Sequence, residues 1–272
     1  MTQLYHAANN PQVALNMPRY MGRGGVFVST DTDYLTLAAA NSQDTYIPMS
    51  NADGAQGILV PDRGVSRHCV TSVVGLGGLS EAVGNNRAYP VYVVARADGQ
   101  QWGLIGLRVG EAITDYLPAG YTWYSPPMCP CIVDDSGDLY RFLYHQDGWF
   151  SFGPTISVLS SGTETAAVTA IDLTNVPVNN AEIVDTGVRA ISWLGTAIGN
   201  QAGVETCTLY QRSVVPSWEV RHTWEVSNVA GYARTWRDNF TTPIADPTQS
   251  IAYQWSGAPT GGLSLLATDI FY

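Results

Sequence analysis

Tyr89-Pro90-Val91-Tyr92-Val93-Val94-Ala95-Arg96, then Ala97-Asp98-Gly99-Gln100, then Trp102-Gly103-Leu104-Ile105-Gly106-Leu107-Arg108, is the stretch on which the reading of the fold turns. Two runs rich in β-branched and aromatic residues flank a glycine-containing turn, which predicts a strand, a reversal and a second strand. The same grammar continues outward. Leu117-Pro118-Ala119-Gly120 turns into Tyr121-Thr122-Trp123-Tyr124, and Ile132-Val133 reaches Asp134-Asp135-Ser136-Gly137, whose side-chain carboxylate and glycine suit a tight turn. Beyond it Tyr140, Phe142 and Tyr144 alternate with Leu139, Arg141 and Leu143, and Gln146-Asp147-Gly148 leads into Trp149-Phe150-Ser151-Phe152. Residues 77–152 are thus predicted to form a β-meander.

The rest of the chain follows suit. Val26-Phe27-Val28-Ser29 and Tyr34-Leu35-Thr36-Leu37 are predicted strands around the turn Thr30-Asp31-Thr32-Asp33, and Asn51-Ala52-Asp53-Gly54 is a predicted hairpin turn. Downstream, Glu205 to Arg212 and Trp218 to Val226 alternate, the latter placing Trp218, Val220, His222 and Trp224 on one side. Ala38-Ala39-Ala40 is the best candidate for a helical turn, and no sustained 3.6-residue stripe exists. Many short strands with Gly- and Pro-rich connections predict an all-β fold, a jelly-roll-like β-sandwich over residues 25–272. Residues 1–24, with Pro11, Pro18 and no alternation, are expected to be an irregular N-terminal arm. Its apolar side chains, Leu4, Tyr5, Val13, Leu15, Met17 and Tyr20 among them, need a partner surface to become buried, which makes them candidate attachment residues.

Composition excludes several classes. Charged residues are 13% of the 272, against about 25% in an average soluble protein. All 13 basic residues are Arg and the formal net charge is −10, so phosphate neutralisation has no basic cluster to work with and nucleic-acid binding is not expected. No apolar run approaches the roughly 18 residues of a membrane span, and the N-terminal residues lack the pattern of a secretory leader. Cys69, Cys129, Cys131 and Cys207 have neither the density of a disulfide framework nor zinc-ligand spacing; they read as reduced structural thiols, and no metal or other cofactor is expected.

Catalytic constellations are also missing. There is no Gly-x-Ser-x-Gly and no His-Glu-x-x-His, and Gly22-x-Gly24-Gly25 precedes no helix pattern. Glu219 and Glu225 share a strand face but stand about 20 Å apart, too far for a glycosidase pair, so no catalytic residue is assigned. Aromatics concentrate near the C-terminus, and Trp218, Trp224, Tyr232, Trp236, Tyr253 and Trp255 are candidate glycan-stacking residues, with core or subunit interface as the competing reading.

The run Gly77-Gly78-Leu79, Tyr89-x-Val91-Tyr92-Val93-Val94 with Asp98-Gly99, Leu117 to Thr122, then Asp135-x-Gly137, Phe142 and Gln146-Asp147-Gly148 resembles structural virion proteins of tailed bacteriophages. Ser80 and the stretch Ser125 to Cys131 depart from that pattern. The resemblance implies a component of a tailed-phage or phage-like particle: a head or tail fibre, a head spike or a capsid decoration protein, with host attachment as an associated role. It implies synthesis in the bacterial cytoplasm, localisation in the virion, other virion proteins as partners, and a homo-oligomer, a trimer being the arrangement such fibres suggest. The rival reading is a lectin-like receptor-binding module for cell-surface glycans; a polysaccharide-degrading enzyme ranks last.

Overall fold

The computed structural model describes residues 3–6, 25–29, 31–39, 45–144, 149–172, 190–199, 203–212, 219–228, 234–243, 250–259 and 261–271. Among them the protein is all-β, with one 3-10 turn at Ile113–Asp115, and no helix is long and apolar enough to cross a membrane. Where the sequence suggests an arm and one sandwich, the chain divides into two compact units, Met1–Gly153 and Pro154–Tyr272.

The first unit is organised by β8 (Arg87–Arg96). Its sheet runs β1 (Gln3–His6), β5 (Gln56–Val60), β4 (Ile47–Asn51), β10 (Tyr121–Tyr124), β8, β9 (Trp102–Gly106), β7 (Gly78–Leu79). The turn between β8 and β9 forms as its residues predict: Asp98 Oδ1 accepts the Gln100 N–H (2.9 Å) and Gly99 sits at φ +69°. The expected meander then fails. β10 and β11 (Cys129–Val133) do not stack onto β9 but follow one another along the opposite edge of β8. Pro126 and Pro127 separate them, since neither has an N–H for the ladder. Ser125 covers the gap: its N–H donates to the Val93 carbonyl (2.8 Å) and its hydroxyl accepts the Val93 N–H (2.9 Å).

After β11 the Asx turn at residues 134–138 forms as expected, with Asp134 Oδ1 accepting the N–H groups of Ser136 (2.8 Å) and Asp138 (2.9 Å). The chain then enters another sheet, where β12 (Phe142–Tyr144) pairs with the first residues of β13 (Trp149–Gly162) and with β2 (Gly25–Ser29), followed by β3 (Tyr34–Ala39) and β6 (Ser66–Val70). Ala38 and Ala39 are strand, not helix, because pairing with β2 and β6 outweighs a three-residue helical preference. Leu35, Leu37 and Cys69 from this sheet are fully buried, as are Tyr89, Val91, Val93 and Leu104 from the other. A Cβ on Gly106 would meet Cys69 Sγ at 3.4 Å and Tyr89 Cβ at 3.3 Å, so the two sheets share this core. Residues 3–6, assigned to the arm from sequence, form a strand in register with β5, Leu4 opposite Leu59 and Tyr5 opposite Ile58.

In the second unit the remainder of β13 is followed by β14 (Thr169–Ile171), β15 (Ala190–Gly199), β16 (Gly203–Arg212), β17 (Glu219–Asn228), β18 (Arg234–Pro243), β19 (Ser250–Trp255) and β20 (Gly262–Phe271). One sheet is ordered β18-β15-β20-β13, and a four-stranded sheet is ordered β14-β19-β16-β17. Alternation explains the packing. Trp193, Gly195, Ala197 and Gly199 are the buried face of β15; Glu205, Cys207 and Leu209 are that of β16. A Cβ on Gly195 would lie 2.5 Å from Trp224 Cζ2, and one on Gly199 would overlap Glu205 Oε2, so glycines of one sheet receive large side chains of the other. Alternation predicts Val220 beside Trp224 on the inner face. Instead Leu209 pairs with His222 while Tyr210 pairs with Val220; Arg221 is the extra residue of a bulge, and Val220 turns out to 61% exposure against 4% for Trp224.

Candidate ligand groove

The β16 face opposite the core presents Thr206, Thr208 and Tyr210, the set that alternation places against Cys207 and Leu209. Thr208 is the register partner of Gln254 on β19, and Tyr210 that of Ala252. One row further on, Ser256 takes the place beside Thr206: its N–H donates to the Thr206 carbonyl (2.8 Å) and its hydroxyl accepts the Thr206 N–H (2.7 Å). Thr206 with Ser256 and Thr208 with Gln254 therefore make a two-by-two array of small polar side chains. Together with Thr165 and Trp255 they line a groove of about 390 Å³.

One wall comes from the chain leaving β13. Ser161, at φ +52°, donates its N–H to Ser264 Oγ (3.2 Å), and the Glu164 backbone carbonyl accepts the Trp255 backbone N–H (3.2 Å). Thr165 is thereby brought alongside β19, where its carbonyl accepts from Gln254 Nε2 (3.5 Å). The Tyr210 hydroxyl donates to Gln254 Oε1 (3.2 Å), so the amide is held from both ends. The hydroxyls of Thr206 and Thr208 have no hydrogen-bond partner among the described residues. None of the lining residues carries a charge.

The aromatics singled out from sequence do not line this groove as stacking faces. Trp255 is 1% exposed and forms the floor, its Nε1–H donating to the Gly162 carbonyl (3.1 Å). Tyr253 and Trp224 are each 4% exposed; Tyr253 lies under Gly162, and Trp224 packs edge-on against His222 (4.3 Å) and Phe240 (5.7 Å). For these three the glycan assignment is corrected: they face the core, where a large ring removes most apolar area from water. Trp236 is in β18 opposite Ala197, and Trp218 and Tyr232 lie outside the described residues, as do Val13, Leu15, Met17 and Tyr20. Sequence reasoning assigned no site to Thr206, Thr208, Gln254 or Ser256; outward alternation on β16 was a signal for the two threonines alone.

Other chemistry-bearing groups have structural roles. The four cysteines are free and buried; burial pushes the Cys69 thiol up to about 12 despite a backbone hydrogen bond, and raises the others too. Among the described residues no three His, Cys, Asp or Glu side chains are grouped as metal ligands. Glu111 is saturated by the Ser80 hydroxyl (2.5 Å), the Arg108 N–H (2.8 Å) and the Tyr116 hydroxyl. Burial works to raise its pKa, but these hydrogen bonds and the Arg108 charge outweigh it and hold the carboxyl below the usual glutamate value. Glu205 is 4% exposed, and both its carboxylate oxygens lack a hydrogen-bond partner among the described residues. Comparison with protein families and with curated proteins finds no match for this chain.

Proposed function

We propose that the protein is a structural component of a tailed-phage or phage-like particle, a fibre, spike or decoration protein of head or tail, whose second unit is a jelly-roll sandwich turned toward the host surface. The strand order of that unit supports this reading above any other observation. Numbered one to eight from β13 to β20, one sheet holds strands one, eight, three and six, and the other two, seven, four and five. Pairs one–eight, two–seven, three–six and four–five are neighbours, as in a long hairpin rolled into two layers, an architecture common in capsid and lectin domains. The fold does not by itself fix the function, and the resemblance of residues 77–152 to virion proteins supplies the rest of the support. Much of that run gathers around β8 in the first unit: Tyr89 to Val94 in β8, Asp98-Gly99 in its hairpin, Leu117 to Thr122 entering β10, and Gly78-Leu79 as β7.

In this reading residues 1–24 attach the chain to other virion proteins, and copies assemble as a homo-oligomer with three-fold symmetry. Low charge, 13% of residues, suits closely packed copies, which would otherwise bring like charges together. The test is to purify particles from lysed host cells by density gradient and probe them with antibody against the chain, with electron microscopy of gold label. Stoichiometric chain at one fixed location on the particle is expected. Its absence from purified particles overturns the proposal.

A further inference from the structure

We propose that the groove between β16 and β19 is a carbohydrate subsite for a neutral glycan. The inference deepens the host-contact reading of the second unit and rests on it for its biological setting, but its chemistry is argued from the groove alone. The lining of Thr165, Thr206, Thr208, Gln254, Trp255 and Ser256 has no carboxylate for a cation and no Arg for an anion. The net charge of −10 further disfavours acidic polysaccharides and phosphates. An apolar ligand would strand the Thr206 and Thr208 hydroxyls, at a cost that disfavours it. A peptide strand would need a sheet edge, whereas this is the face of a sheet whose strand β16 is paired on both sides.

What remains is a ligand that donates and accepts from each small group. Each threonine hydroxyl can do both, the Ser256 hydroxyl keeps its proton to give while accepting from Thr206, and Gln254 retains one lone pair and one N–H after its bonds to Tyr210 and Thr165. Vicinal sugar hydroxyls match such an array. The groups stand on adjacent paired strands, about 5 Å apart across the pair and about 7 Å along each strand, so the array is fixed before a ligand arrives. Half-buried Tyr210, next on the same face of β16, holds the Gln254 amide in place through its hydroxyl. A groove of about 390 Å³ is at the smaller end of ligand sites, suiting one or two sugar rings of a longer chain.

The full-length protein is titrated by calorimetry and by saturation-transfer NMR with maltotriose, cellotriose and chitotriose, and with trigalacturonic acid as the anionic counterpart. At least one neutral trisaccharide is expected to bind, and Thr208→Val and Gln254→Ala each to weaken it about 3–10-fold through loss of one or two hydrogen bonds. Thermal melts check that both variants fold; if either does not, methyl shifts of Thr206 and Thr208 in the unaltered protein on adding sugar report the site directly. Failure of all three neutral sugars to bind, tighter binding of the acidic one, or binding that leaves those methyls and both variants unaffected overturns the subsite. A chain that binds sugar yet is missing from purified particles would instead overturn the particle reading and leave the subsite standing.

Discussion

Gly195→Ala tests the face-to-face packing of the second unit, because two effects of opposite sign compete there. In a strand interior, glycine is less favourable than alanine by about 0.5–1 kcal/mol, so with free space the change stabilises. Space is absent: the new Cβ would stand 2.5 Å from Trp224 Cζ2, 3.0 Å from Cη2 and 3.2 Å from Phe240 Cε1. Carbon contacts are comfortable at about 3.5–4.0 Å, so the indole must withdraw by roughly 1 Å, while Trp224 is held at 4% exposure against His222 and Phe240. Overpacking of this kind costs about 1–3 kcal/mol, which at least cancels the backbone gain and leaves a net loss of up to about 2.5 kcal/mol. Urea unfolding followed by tryptophan fluorescence measures it. In a Trp224→Leu background, where the ring edge is gone, the same Gly195→Ala change should be neutral or stabilising, a coupling of about 1–3 kcal/mol. Gly153, with nothing within 4 Å of its would-be Cβ, supplies the control in which Ala stabilises. If Gly195→Ala raises stability equally with and without Trp224, the sheets do not pack as described.

Glu205→Met should raise stability by about 1–3 kcal/mol in the same assay, since it removes a buried carboxylate that has no hydrogen-bond partner among the described residues and keeps the volume. A thiol reagent such as DTNB at pH 8 should label none of the 4 cysteines in the native protein and all of them in denaturant; rapid native labelling would contradict their burial and raised pKa values. Glu111 has a folded pKa below its unfolded value, so its contribution is complete above about pH 4.3 and is lost as pH falls through the lowered folded value. The melting-temperature gap between the natural protein and Glu111→Gln should therefore close as pH falls from 5 toward 3, and a gap that widens on acidification would show the sign to be reversed.

What could be read in the sequence was local. Asp98-Gly99, Asn51 to Gly54 and Asp134 to Gly137 make the turns their residues call for, because an Asx hydrogen bond and a glycine at positive φ are decided within four residues. Strand partners were not legible. Pro126-Pro127 could be seen, but not that β10 and β11 would share one edge of β8, since that depends on which ladder the prolines interrupt. The bulge at Arg221 turns Val220 outward although the letters alternate without a break. The groove was missed for a related reason: aromatic residues attract attention as ligand platforms, whereas here burial claims Trp224, Tyr253 and Trp255 and leaves the outward face to threonine, serine and glutamine.

The nested pairing of the second unit has a consequence for how it is made. Among the described strands of this unit only β16 and β17 are sequence neighbours that pair directly; each further pair, β15–β18, β14–β19 and β13–β20, encloses a longer loop than the last. Closure entropy rises with that separation, so assembly is expected to start at the β16–β17 hairpin and wind outward, with β13–β20 joining last. On the ribosome β13 is then an early product that must wait, unpaired along its β20 edge, until the final strand has emerged. Stalled nascent chains ending before β20 should be captured by chaperones and cut by protease within β13, and chains long enough to expose β20 should resist both.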